Sequence, residues 1–319
     1  MRAGAFALSL LSTPLNVDVL RALEQEPISL IELRRNVGLP PQTTMRGYLR
    51  TLTEVGAIER HRPAGTPGPV GYSLAKPGLE LLGIADVLAV WLESRPEKPL
   101  ELGSTGAKGA IKALVDGWSS ALVRAIAARP LTLTELDGLI TTLNYPSLER
   151  RLAAMKMAGL IEARRASGRR KPYTVAPWLR HAIGPLLAAA LWERERLGSA
   201  AASLARIDAE ATFLLTMPAL ELPAETSGTC RFVVELPGSA GVEPAGAQVV
   251  LRDGGVESCI SRLRGDPDAI VSGSGTAWLR STVRDDPVDL EVRGDWSLAD
   301  AVLHGLRRFL YGSRAAQTR

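Results

Sequence analysis

The apolar positions of this chain change period once. Through the first two thirds they recur with helical spacing, and beyond about residue 215 they alternate as in half-buried strands. Met45, Leu49, Leu52 and Val55 take the spacing of one buried helix face, and Leu148, Leu152, Met155 and Ala158 repeat it 103 residues later. That offset lays residues 20–59 on 123–162 without a gap. Ten of forty positions are identical, among them Arg21/Arg124, Pro27/Pro130, Glu32/Glu135, Leu33/Leu136 and Gly56/Gly159. A register kept over this length predicts a tandem repeat of one supersecondary unit.

Each copy predicts the same elements. A helix (17–25, 120–128) ends before a proline. Ser29 or Thr132 then caps a second short helix, with Glu32 or Glu135 completing a capping box. A turn leads to the third helix, which carries the apolar stripe and ends at Gly56 or Gly159 in the left-handed conformation. Strands starting at 57 and 160 return at 72–74 and 173–175. Three helices and a two-stranded hairpin make a winged helix-turn-helix.

After a long helical stretch over 177–215, Phe232, Val234 and Leu236 share one strand face, and Val249 and Leu251 share another. Arg252-Asp-Gly-Gly255 is a hairpin turn into a strand at 256–260. A strand at 269–272, a helix at 276–283, a strand around Leu290 and Val292 and a closing helix at 297–310 complete an α+β arrangement.

Charge sharpens the division. The formal net charge is +4, yet residues 1–197 hold 26 Lys and Arg against 18 Asp and Glu, and residues 198–319 hold 12 against 16. The first stretch suits a polyanion and the second does not. Its candidate DNA readers lie on the solvent faces of the third helices: Gln42, Thr43, Thr44, Arg46 and Arg50 in one copy, Ser147, Arg150 and Arg151 in the other. The hairpin loops add Arg60 and Arg62 in the first copy, and Arg164, Arg165, Arg169, Arg170 and Lys171 in the second. Five cations on one hairpin repel each other, and a phosphate backbone is their natural counterion.

Other chemistry is scarce. A length of 319 residues predicts two or three domains, and 46% apolar with 23% charged residues describes an ordinary globular chain. No apolar run reaches the ~18 residues of a membrane span; residues 183–192 are interrupted by Gly184 and Pro185. The apolar run at 3–11 leads into a helix at 15–23 rather than a cleavage site, so the chain reads as cytoplasmic. Cys230 and Cys259 form no CxxC pair and read as buried thiols; His61, His181 and His304 show no metal-ligand spacing. Gly103-Ser-Thr-Gly-Ala-Lys-Gly109 lacks the phosphate-loop spacing and reads as part of a flexible connector. With no nucleophile elbow and no placed acid pair, a non-enzymatic protein without a cofactor is expected.

Two resemblances add to this. Val70-Gly-Tyr-Ser-Leu-Ala-Lys-Pro-Gly-Leu-Glu-Leu-Leu82, followed by a helix ending near Trp91, resembles the wing exit and dimer helix of HxlR-type regulators, relatives of the MarR-like proteins. Ser147-Leu-Glu-Arg-Arg-Leu152, Ala158-Gly-Leu-Ile-Glu162 and Trp118 resemble their recognition helix, wing entry and core tryptophan. Such regulators usually carry one unit and dimerise. Two units in one chain imply an intramolecular pseudo-dimer through residues 79–91 and 177–197, or a homodimer. Asp266-Pro-Asp-Ala-Ile-Val-Ser-Gly273, Ala277-Trp-Leu279 and Leu290-Glu-Val-Arg-Gly-Asp295 resemble the sterol-carrier-protein-like fold. That resemblance implies an apolar tunnel, with Phe232, Val234, Leu251, Trp278, Leu279, Val283, Trp296, Leu303 and Leu306 as candidate lining residues.

The expected organisation is a first winged-helix domain with its dimer-type helix over 1–94, a linker over 95–117, a second winged-helix domain with a long C-terminal helix over 118–197, and a ligand-binding domain over 198–313. The expected function is transcription regulation by binding double-stranded DNA, under control of a hydrophobic small molecule. The alternative is a hydrophobic-ligand carrier whose winged helices serve assembly.

Overall fold

Ser29 and Thr132 cap the helices that their spacing predicts. In the computed structural model, which describes residues 3–61, 70–116, 120–163, 171–236 and 244–312, each hydroxyl accepts a bond from the backbone N–H three residues on. The Glu32 and Glu135 carboxylates in turn accept from the backbone N–H of the cap residue at 2.9 and 2.8 Å. These bonds satisfy helix-end donors that would otherwise be unpaired, and they hold both carboxyls below the usual range. The contacts divide the chain into two units, Met1–Ile111 with Ala188–Ala202, and Lys112–Leu187 with Ser203–Arg319.

The first unit begins with α1 (Ala5–Leu11) and α2 (Pro14–Ala22), the latter opened by a proline that lacks the N–H a helix start cannot use. Then come β1 (Ile28–Ser29), α3 (Leu30–Asn36), α4 (Gln42–Glu54), β2 (Ile58–His61), β3 (Gly71–Leu74) and α5 (Lys76–Glu93). The strands form an antiparallel sheet in the order β1-β3-β2, with Ile58 opposite Leu74 and Ile28 opposite Tyr72. Met45, Leu49 and Leu52 of α4 are buried as their spacing predicts, and Val55 is half-buried. Gly56 ends the helix at φ 69°. Gly78 lets α5 approach the hairpin, because a Cβ there would lie 2.1 Å from the Ala57 carbonyl oxygen.

The predicted connector contains a helix, α6 (Thr105–Val115). Ala107, Ala110, Ile111 and Leu114 recur at helical spacing and are buried, and the Ser104 hydroxyl accepts from the Ala107 N–H at 3.1 Å. The small residues that read as flexible tolerate helix once apolar neighbours cover them.

The second unit runs through α7 (Ser120–Ala128), α8 (Leu133–Leu139), α9 (Tyr145–Met157), β4 (Ile161–Ala163), β5 (Tyr173–Val175) and α10 (Pro177–His181). Leu148, Leu152 and Met155 are buried, Ala158 is half-buried, and Gly159 turns at φ 79°. β4 and β5 pair antiparallel with Ile161 opposite Val175, and Leu131 bridges Tyr173 where the first unit has β1. The long helical stretch expected over 177–215 divides into three helices, α10, α11 (Ile183–Leu197) and α12 (Arg206–Thr216). Gly198 (φ 54°) stops α11, a single 3-10 turn follows over Gly198–Ala200, and residues 201–205 are not helical. Residues of α11 from Ala188 onward belong to the first unit.

β6 (Gly228–Glu235), β7 (Ala245–Arg252), β8 (Gly255–Ile260), β9 (Ala269–Ser274) and β10 (Glu291–Gly294) form one sheet in the order β10-β9-β6-β7-β8, parallel only between β6 and β9. α13 (Gly275–Arg284) and α14 (Trp296–Tyr311) complete it. Alternation puts Phe232, Val234, Val249, Leu251 and Val271 on the buried side. α12 packs against β7 and also against α7. Glu210 of α12 is 1% exposed and pairs with Arg124 of α7 at 2.5 Å and with Arg206 at 2.7 Å, while Ser120 bonds Asp208. The predicted boundary at 197/198 therefore separates residues that fold together.

Candidate nucleic-acid interface

α4 has one fully buried stripe, so its other residues face outward by default. Gln42, Thr43, Thr44, Arg46 and Arg50 are all exposed. Arg46 makes no hydrogen bond or ion pair among the described residues, and Arg50 has a 3.7 Å pairing with Glu54 in which both side chains stay largely in solvent. Such a pair contributes little and yields readily to another anion. The helix opens at Pro41 without a side-chain cap. Arg60 lies exposed on β2, and His61 bonds the Ser73 hydroxyl across the hairpin. Arg62 lies outside the described residues.

The turn into α4 is built from α3. Nε and Nη2 of Arg34 both donate to the Pro40 carbonyl oxygen, at 3.2 and 3.0 Å. Sequence reasoning passed over Arg34 and its exposed neighbour Arg35. The available signal was two consecutive arginines closing the helix before the reader.

In the second unit α9 is a different surface. Its start is capped by the Asn144 carboxamide oxygen, which accepts from the Ser147 N–H at 3.0 Å; Ser147 is half-buried. Arg151, also half-buried, donates to the Asp116 carbonyl at 3.2 Å and so is drawn toward its own chain. Arg150 is exposed, but beside it stand Glu149, Ala153, Ala154 and Met157, the last 82% exposed. Lys171 is exposed at the edge of the hairpin. Arg164, Arg165, Arg169 and Arg170 lie outside the described residues.

Geometry thus favours α4 over α9 as a reader, although the richer cationic signal in the sequence belongs to the second copy. A family model described as HxlR-like helix-turn-helix matches residues 11–98. The HxlR-like segment covers α2 to α5 and less than a third of the chain. The chain matches no curated protein. Within the HxlR-like segment, α5 is flanked by the end of α11: Trp192 Nε1 donates to the Pro77 carbonyl at 3.0 Å, and Arg196 forks onto both oxygens of Glu80 at 2.6 Å.

The residues expected to line an apolar tunnel are placed differently from one another. Phe232, Val234, Leu251, Trp278, Leu279 and Leu306 are buried, and Val283 and Leu303 are half-buried. Phe213, Phe232 and Trp278 pack ring against ring with centroids 5.3 to 5.8 Å apart, and Trp278 Nε1 donates to the Val233 carbonyl at 2.8 Å. These side chains fill the space between sheet and helices. Trp296 corrects the expectation: it opens α14, is 62% exposed, and does not line an interior.

Both thiols are free, Cys230 buried and Cys259 half-buried. Burial pushes each up to about 12, where the nucleophilic thiolate is scarce. Among the described residues no group of three or more His, Cys, Asp or Glu could hold a metal ion, and no helix is long and apolar enough to cross a membrane.

Proposed function

We propose that this protein is a DNA-binding transcription regulator whose principal reader is α4 of the HxlR-like segment. One observation carries the proposal: the exposed face of α4 is entirely polar or cationic from Gln42 to Arg50, while its opposite stripe is buried. Short hydroxyl and amide side chains at a helix start reach phosphates and base edges, and arginine can pair with guanine through two bonds.

The second winged helix, read as a duplicate of the first, supplies backbone contacts through Arg150, Lys171 and the four arginines of its loop. The C-terminal α+β domain is read as a sterol-carrier-like sensing module for a hydrophobic small molecule. Phe213, Phe232 and Trp278 occupy its interior, so an apolar ligand enters by displacing those rings. The protein acts as a switch and not as an enzyme.

The test is duplex selection by the full-length protein from a random-sequence library, followed by titration across a salt series. The proposal expects log K to fall linearly with log salt, with a slope of about −0.9 for each phosphate contact. Absence of duplex binding at low salt overturns it and leaves a ligand carrier whose winged helices serve assembly.

A further inference from the structure

The turn between α3 and α4 passes through two consecutive left-handed residues, Gly38 at φ 83° and Leu39 at φ 56°. A leucine in this region is strained, because its Cβ crowds the backbone. Packing does not hold it there, because its side chain is exposed. Bonds must therefore hold it, and the three that span the turn all involve Arg34. The Arg34 carbonyl accepts from the Leu39 N–H at 2.7 Å, and the Arg34 guanidinium places two donors on the Pro40 carbonyl.

The repeat supplies a comparison within the molecule. In its register Asp137 stands where Arg34 stands, and a carboxylate has no donor for a carbonyl. There α9 is started instead by its own Asn144 cap, and none of residues 139–145 has positive φ.

We infer that Arg34 is a positioning residue of the first reading head, setting the direction in which α4 leaves the turn, and not a phosphate contact. This rests on the reading of α4 as a DNA reader. Arg50 lies eight residues beyond Gln42, ~12 Å along the helix, so a ~10° tilt displaces it by ~2 Å. Productive contacts tolerate only ~0.5 Å. Loss of the clamp therefore costs discrimination between sequences before it costs electrostatic attraction.

The experiment uses full-length protein, the duplex selected by the wild type, and a scrambled duplex of equal composition. Arg34→Lys keeps the charge and loses the planar fork; Arg34→Gln loses the charge. Both variants are expected to bind the selected duplex about ten-fold more weakly, with scrambled-duplex affinity and salt slope as in wild type. Amide exchange over residues 38–44 is expected to quicken in the free variants while the rest of the chain keeps its protection. Should Arg34→Lys bind as wild type while Arg34→Gln flattens the slope by about 0.9, Arg34 is a phosphate contact and the inference falls. Unchanged exchange over 38–44 in both variants overturns it without reference to DNA. A wild type that selects no duplex removes the DNA-binding reading and the inference together.

Discussion

Arg46 and Arg50 stand four residues apart on the exposed side of α4, so under the proposed DNA-binding reading they face the same groove wall from successive turns. If both contact phosphate, Arg46→Gln and Arg50→Gln each flatten the dependence of log K on log salt by about 0.9, and the double variant by about twice that. Fluorescence anisotropy on one duplex from low to physiological salt reads this directly. A second residue is unusual for its burial. Glu193 of α11 is 2% exposed, and its two carboxylate oxygens accept from the Gly4 and Ala7 N–H groups at 2.9 Å, at the start of α1. Burial raises its pKa above the usual 4.5, while those backbone bonds pull it down. The folded chain then holds this proton more tightly than the unfolded chain. Its contribution to stability grows as pH falls through the folded midpoint toward 4.5, opposite in sign to a carboxylate whose pKa folding lowers. Carboxyl NMR titration of Glu193 is expected to give a midpoint above 4.5; a lower one would show that the N–H bonds outweigh burial.

At the scale of the element, the capping boxes of α3 and α8 are equivalent, and so should be their energetics. Ser29→Ala and Thr132→Ala each remove a hydroxyl that accepts a helix-end N–H, and each is expected to destabilise its unit by about 1 kcal/mol in denaturant unfolding. Ser29, Glu32, Thr132, Glu135, Gly56 and Gly159 were legible in the sequence because capping and left-handed turns depend on a few adjacent residues. The apolar stripes of α4 and α9 were legible because only one helix period places those side chains on one face. The helix at Thr105–Val115 was not. Glycine and threonine lower local helix preference, and the burial of Ile111 and Leu114 that offsets it does not show in the local sequence.

Across the whole molecule, the division into units changes what a truncation means. A fragment of residues 1–197 keeps α7 but removes α12, which packs against it, and leaves Arg124 without Glu210. Such a fragment is expected to retain the cooperative unfolding of the first unit and to expose apolar surface from the second, read as dye binding absent from the full-length chain. Two clean transitions with no dye binding would show instead that α7 to α10 stand alone. For the same reason an apolar ligand that displaces Trp278 is expected to shift its fluorescence and to perturb α12, which carries both Phe213 and Glu210.

Helix starts, strand faces, hairpin turns and an outward polar side on each third helix follow from residues within a few positions of one another, and those short-range rules were enough to read them from composition and spacing alone. Which of the two similar helices keeps its arginines in solvent, which tryptophan is packed and which is left in water, and where one folding unit ends depend on partners tens to hundreds of residues away. Arg151 meets Asp116, Glu210 meets Arg124, and Trp192 meets Pro77 only because the chain returns on itself. No local preference encodes such meetings; they are settled by the packing of surfaces that exist only once the elements have formed.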